Sequence, residues 1–180
     1  MKFLVFKTGL ILLLATILPG CKDHYLSQEG KRILFQYEYI RGSGDDEHHG
    51  FIIDSEGNLF TYNNPEDWNF PDKDLIISHD KVSENLEKCT LTGTKIPVEE
   101  LTKYSKFIEN ISSSKVTALK NVKRGEGTTE FICFQYSGSL NSYQGHLIKM
   151  EGERTRENLN FYARKVTAWM REISDTLEIK

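Results

Sequence analysis

Apolar and polar residues alternate in several short stretches of the chain, and this period of two predicts half-buried β-strands. Aromatic and β-branched residues are concentrated in these stretches, as is typical of strands. Gly57, within the Ser55–Asn58 turn, supplies the positive φ that a short hairpin loop needs. The predicted strands cover residues 32–40, 51–54, 59–62, 116–119, 128–136 and 143–150.

Two longer segments have apolar residues at spacings of three and four, which predicts amphipathic helices. The first helix is predicted over residues 97–111, with Pro97 in its first turn, where a missing N–H is tolerated. The second is predicted over residues 155–177 and carries one buried stripe. That stripe comprises Leu159, Tyr162, Val166, Trp169, Ile173 and Leu177.

Short turns rather than helices join most consecutive strands, so the sheet is expected to be mainly antiparallel. The fold class predicted is α+β, with two helices and the long C-terminal one packed on a face of the sheet. Residues 32–180 are long enough for a single domain with a hydrophobic core.

The first twenty residues have the pattern of an export signal. Lys2 and Lys7 precede a short apolar run over residues 10–18, which is shorter than the roughly 20 residues of a membrane-spanning helix. The sequence Leu18-Pro19-Gly20-Cys21 follows, with a branched apolar residue three positions before a cysteine and a small residue directly before it. This segment resembles the lipobox of bacterial type II signal peptides.

The resemblance implies that residues 1–20 are removed and that Cys21 receives a diacylglycerol and further acyl chains such as palmitate. Residues 21–31 would then form the lipidated cysteine and a short tether to a membrane. Lys22-Asp23 resembles the start of the surface-export signal of some Bacteroidetes lipoproteins. The expected location is therefore the bacterial cell envelope, with the outer membrane favoured and surface exposure as a further option.

The charge of the chain limits its partners. The full chain has a formal charge of −3, and removal of residues 1–20, which contain two lysines and no acid, makes it −5. Nucleic-acid binders concentrate positive charge, so no nucleic-acid partner is expected. Attachment to a membrane is expected to come from the lipid on Cys21 rather than from charge.

Cys89 and Cys133 are the remaining cysteines. A pair of cysteines in an exported protein suggests a disulfide. The alternative is two free thiols that act as small apolar residues, because Cys133 lies in a strongly apolar run.

The densest group of polar residues is Asp45-Asp46-Glu47-His48-His49. His48, His49 and Asp46 are candidate metal ligands, since imidazoles and carboxylates bind divalent metals. Adjacent residues on a strand point to opposite faces, so a metal site would need a further ligand from a distant part of the chain. The alternative interpretation of this segment is a solvated acidic loop. The candidates for that ligand are Asp54, His79, Asp80 and His146.

The segment Asp67-Trp68-Asn69-Phe70 lies in a long loop over residues 63–75 and is the candidate binding site. Trp68 and Phe70 suit a platform for a sugar or peptide, and Asn69 and Asp67 offer polar groups beside it. Alternatively, both rings fold back onto the sheet, as large aromatic side chains commonly do.

No catalytic signature is present, and no cofactor is expected. The leading hypothesis is a non-enzymatic envelope lipoprotein that binds a protein or glycan partner. One alternative is a metal-binding protein or metal-assisted hydrolase that uses the Asp45–His49 cluster, and another is a structural subunit of an envelope assembly.

Overall fold

A computed structural model of the chain describes residues 32–42, 47–122 and 125–179. The strands are β1 (Ile33–Arg41), β2 (Glu47–Asp54), β3 (Asn58–Asn63), β4 (Ile76–Ser78), β5 (Thr90–Lys95), β6 (Lys120–Asn121), β7 (Thr128–Ser137), β8 (Ser142–Gly152) and β9 (Arg154–Glu157). The helices are α1 (His79–Glu87), α2 (Val98–Ser105), the one-turn α3 (Ile108–Ser112) and α4 (Phe161–Thr176).

The strands form a single sheet in the order β5-β3-β2-β1-β7-β8-β9-β6, and β4 pairs with part of β8. Every pairing is antiparallel. The predicted α+β class and mainly antiparallel sheet are therefore confirmed. The prediction of two helices is only partly right, because α1 was not expected and the 97–111 segment forms two helices.

Both faces of the sheet are buried. On the helical face, which α2, α3 and α4 cover, Phe35, Phe131 and Trp169 belong to the larger core cluster. On the opposite face, here called the loop face, a second cluster includes Ile132 and Tyr143 and is covered by α1 and residues 64–75. Strand β1 is buried on both sides because it lies in the middle of the sheet.

Helix α4 is held on the helical face by Trp169, which is 2% exposed. Its ring packs edge-on against Phe35 at 5.1 Å and stacks on Tyr104 of α2 at 4.2 Å, and its indole N–H donates to the Glu100 carboxylate. The side chain of Asn160 caps the helix by accepting a hydrogen bond from the Tyr162 N–H at 2.8 Å. The predicted packing of the C-terminal helix on a sheet face is confirmed.

The C-terminal helix begins at Phe161 and not at residue 155. Residues 154–157 pair with β8 and β6 as β9, and Asn158 ends that strand by donating side-chain hydrogen bonds to the carbonyls of Ile111 and Leu147. A buried amide must be paired, so this position fixes the end of the strand and the start of the helix.

The predicted 97–111 helix divides at residues 106–107. Phe107 lies between α2 and α3, and its ring stacks on Tyr162 of α4 at 4.3 Å. The break allows Leu101 of α2 and Ile108 of α3, both almost fully buried, to reach the same core. Of the predicted 116–119 strand, only Val116 forms a bridge, to Asn158.

Strand β5 is an edge of the sheet and is irregular. Its residues pair with β3 through Asn58–Lys95 and Phe60–Leu91, so two extra residues are accommodated on the β5 side. The Thr92 hydroxyl donates to the Thr94 carbonyl and accepts from its N–H. The backbone N–H and carbonyl of Thr94 are therefore hydrogen-bonded by a side chain of the same strand.

None of the described helices is long and apolar enough to cross a membrane.

Gly50 provides a test of the packing on the loop face. A Cβ at this position would lie 2.0 Å from the Tyr37 carbonyl oxygen and 2.7 Å from the Tyr62 hydroxyl. We expect Gly50→Ala to lower the free energy of unfolding by about 3 kcal/mol, because backbone cannot move aside cheaply. Gly93→Ala is the matched control, since nothing lies within 4 Å of a Cβ there, and it should change stability by at most about 0.5 kcal/mol. Urea unfolding measures the two variants, and an equal decrease in their free energy of unfolding would contradict this packing.

Candidate functional site

The candidate binding loop lies on the loop face, and its two aromatic residues have different environments. Trp68 is partly buried and stacks on Tyr62 at 4.4 Å, with an angle of 29° between the ring planes. Phe70 is 51% exposed, and its ring centroid lies 5.2 Å from that of His48. The Trp68 ring therefore packs onto the sheet, while Phe70 presents its ring to solvent.

Helix α1 fixes the position of this loop. Asn85, which is 4% exposed, accepts from the Asn69 N–H at 2.9 Å and donates to the Asn69 carbonyl at 2.8 Å. The Lys88 ammonium donates to the Asp67 carbonyl at 2.6 Å. These hydrogen bonds connect the loop to α1 directly. The loop backbone that carries the Phe70 ring is therefore fixed in position.

The polar residues of the loop divide between structural and exposed roles. The Asn69 side chain donates to Glu84 and Asn85, so its amide is already used within the protein. Asp67 is exposed and has a φ of 52°, a conformation that short polar residues tolerate better than most. The Asp67 carboxylate is thus more accessible than the Asn69 amide.

A buried acid and a histidine lie under the aromatic residues. Glu38 of β1 is 3% exposed, and its carboxylate lies 3.2 Å from Nε2 of His48 on the neighbouring strand β2. A carboxylate only accepts, so Nε2 carries the proton in this bond. The His48 ring is surrounded by Tyr62 at 5.1 Å, Trp68 at 5.3 Å and Phe70. This arrangement fixes the His48 ring beneath Phe70.

A second carboxylate lies opposite Glu38. Glu130 of β7 is its cross-strand partner, so both side chains point to the loop face. Burial, followed by the charge of Glu38, raises the pKa of Glu130 to about 7, although Arg154, 3.6 Å away, opposes the shift. Two buried acids side by side thus differ in their environment, because Glu38 is bonded to His48 while Glu130 is not. Neither acid was singled out from the sequence.

His49 points away from this site. It lies on the helical face, where its ring stacks on Tyr39 at 4.8 Å. Its Nε2 is buried and makes no hydrogen bond to the described part of the protein. Burial lowers the pKa of His49, which favours the neutral ring.

The histidines expected to share a metal are therefore on opposite faces. The third candidate, Asp46, lies outside the described residues, as does Asp45. Within residues 32–42, 47–122 and 125–179, no three His, Cys, Asp or Glu side chains are arranged to hold a metal ion. The candidates for a distant ligand are engaged elsewhere: Asp54 accepts from the β2–β3 turn, His79 lies 3.8 Å from Asp80, and His146 bonds to Gln135.

Cys89 and Cys133 are both free thiols, which is the second of the two alternatives. Cys133 belongs to the core of the helical face and Cys89 packs against the core of the loop face, so the sheet separates them. Burial raises the pKa of Cys89 to about 12 and also raises that of Cys133. Both thiols therefore act as small core residues, and the structure contains no bond between them.

The lipobox, Cys21 and the tether over residues 21–31 lie outside the described residues. No protein-family model, curated protein or solved structure matches the chain. The function of the domain is therefore inferred from the arrangement of its own residues.

The environment of Glu130 predicts a pH dependence of stability. Its pKa is raised in the folded protein, so the protonated form is favoured by folding and stability is lost as the pH rises from about 4.5 through about 7. We expect Glu130→Gln to remove this loss and to be more stable than wild type by about 2 kcal/mol at pH 8. The two proteins should differ much less at pH 4.

The measurement is urea unfolding at a series of pH values. Glu87→Gln removes the same charge from the exposed last turn of α1 and is the control. An unfolding free energy that has the same pH dependence in wild type and Glu130→Gln would show that the carboxyl is not buried as described.

Proposed function

We propose that the protein is a lipid-anchored component of the bacterial cell envelope whose domain binds a protein or glycan partner through an aromatic surface. This surface, the Phe70 surface, consists of Phe70 and Asp67 on the loop, with Trp68 and His48 beneath them. The observation that carries the proposal is the 51% exposure of Phe70 on a backbone held by Asn85. An exposed ring on a fixed loop loses little conformational entropy when it binds.

The chemistry of this surface suits a sugar ring or an apolar side chain. The Phe70 ring offers an apolar contact, and the exposed Asp67 carboxylate accepts hydrogen bonds from hydroxyl or amide groups. The Trp68 ring points from the loop toward the sheet and stacks on Tyr62. These two rings support the loop and are not free to contact a partner. The partner would therefore make one central aromatic contact with polar contacts around it.

Binding is favoured over catalysis by the contents of the site. Glu38 and His48 form a carboxylate–imidazole pair, but their side chains are only 4% and 13% exposed. A general base must come within hydrogen-bond distance of its substrate, and this pair is enclosed by rings. The pair supports the surface from below. A structural subunit of an envelope assembly is the alternative proposal, and it predicts that loss of the Phe70 ring leaves assembly intact.

The anchor is proposed from the lipobox resemblance, and it predicts the behaviour of a cysteine variant. In cells grown with a palmitate analogue, Cys21→Ser is expected to lose all label. It should either appear in the soluble fraction or remain uncleaved, because no thiol is available for lipid transfer. Cys89→Ser, which changes a free thiol inside the domain, should stay labelled and membrane-bound. A fully cleaved Cys21→Ser protein that still sediments with membranes would refute the anchor.

Phe70→Ala tests the binding surface. The lipidated protein in detergent would be immobilised and exposed to solubilised envelope proteins and, separately, to envelope polysaccharides. We expect Phe70→Ala to weaken retention of the partner by about 1–2 kcal/mol, or roughly tenfold, as for other exposed aromatic contacts. Leu140→Ala removes a 75% exposed apolar residue at the β7–β8 turn and is the matched control. Equal retention by Phe70→Ala, Leu140→Ala and wild type would exclude the Phe70 surface.

A further inference from the structure

Two adjoining grooves lie where β8, β9 and α4 meet, toward the end of the sheet opposite β5. The first lies between β8 and α4 and has a volume of about 350 Å³. The second follows β8 and β9 and has a similar volume, also about 350 Å³. Lys149 and Glu157 line both, so the two grooves adjoin each other, and together they are here called the basic groove.

Cations outnumber acids along the basic groove. Lys149, Arg164 and Arg171 line the first part, and Lys120 and Arg156 line the second with Lys149. The acids are Glu151 and Glu157. This local excess of positive charge contrasts with the formal charge of −3 of the whole chain.

Glu151 orients two of the cations. Its carboxylate accepts from the Lys149 ammonium at 2.8 Å and from the Arg171 guanidinium at 2.6 Å. Burial alone would raise the pKa of Glu151, but these two hydrogen bonds lower it and keep the carboxylate ionised. Arg171 also lies over the Phe131 ring at 5.5 Å. A guanidinium has five N–H donors, so Arg171 keeps donors for a ligand after binding Glu151.

The other three cations are Arg156, Arg164 and Lys120, and the Arg156 Nε donates to the Thr117 carbonyl at 3.1 Å. Neither Arg164 nor Lys120 forms an ion pair with a carboxylate in the described part of the chain. Glu157 lies 3.9 Å from the Lys149 ammonium, and its side chain is 60% exposed. The basic groove therefore contains two cations, Arg164 and Lys120, that pair with no carboxylate among the described residues.

We propose that the basic groove binds an acidic glycan, a chain of sugars that carries carboxylate groups. The cations are distributed along two adjoining grooves rather than gathered at one point, which matches charges repeated along a polymer better than a single small anion. The half-buried Thr117 and Thr155 line the second part of the groove, where their hydroxyls can hydrogen-bond to sugar hydroxyls. This site is separate from the Phe70 surface and does not depend on it.

The test uses variants with opposite expected effects. Isothermal titration of the full-length lipidated protein in detergent with oligogalacturonate would measure affinity. Arg164→Ala should weaken binding about fivefold, because an unpaired cation is lost. Glu157→Gln should strengthen binding about twofold, because a repelling charge is removed while the backbone bonds of Glu157 to Thr117 remain. Lys81→Ala removes an exposed cation on α1, outside the groove, and should leave affinity unchanged.

Each outcome supports or overturns the proposal. Weaker binding by Arg164→Ala, stronger binding by Glu157→Gln and a loss of affinity in 0.5 M salt would support it. Equal losses in Arg164→Ala and Lys81→Ala would overturn it, since net charge alone would then explain the binding. Equal affinity for uncharged dextran, or tighter and Arg164-dependent binding of tripolyphosphate, would overturn the acidic-glycan assignment. Thermal melting of each variant verifies that it is folded.

Discussion

Two polar residues on the buried loop face of β1 constrain the structure around them. Gln36 and Glu38 are 6% and 3% exposed, and both lie on a central strand. A buried carboxylate without a partner would cost several kcal/mol, so its neighbours must supply hydrogen bonds. His48 of the adjacent strand β2 bonds to Glu38, and the hydroxyl of Tyr62 on β3, the next strand on that side, accepts from Gln36.

The aromatic layer follows from this requirement. Tyr62 lies over Gly50, where the lack of a side chain lets its hydroxyl reach the Tyr37 carbonyl at 3.3 Å. The Tyr62 ring then offers a flat surface on which Trp68 stacks. The Trp68 contact holds the loop over the sheet. Phe70, on the same loop, is the outermost residue of this layer and is exposed. The surface proposed to bind a partner thus originates in buried hydrogen bonds.

Much of the sheet could be predicted from sequence, because alternation in β1, β7 and β8 is strong and their turns are short. The long helix was predicted from its stripe, but its start was placed six residues early, since the short pairing of β9 has no apolar pattern. Helix α1 was missed because only Val82 and Leu86 are large apolar residues in it. Because α1 was not predicted, the role of Asn85 in holding the candidate loop was not predicted either.

The sequence predicted the candidate loop but not what lies beneath it. Asp67–Phe70 was recognisable from its composition, whereas Glu38 appeared only as a polar position in a strand. Its pairing with His48 depends on the register of β1 and β2, which brings residues ten apart in sequence together on the same face. The adjacent histidines look like a metal motif, but in a strand they lie on opposite faces.

The irregular edge strand β5 has a consequence for molecules that are crowded together. A regular, exposed strand edge presents a row of unpaired N–H and C=O groups, and a second copy of the chain can pair with it and begin aggregation. In β5, the two extra residues disturb that row, and Thr92 occupies the N–H of Thr94. The irregularity therefore makes continuous sheet growth from one molecule to the next unfavourable, even when many copies share a small volume.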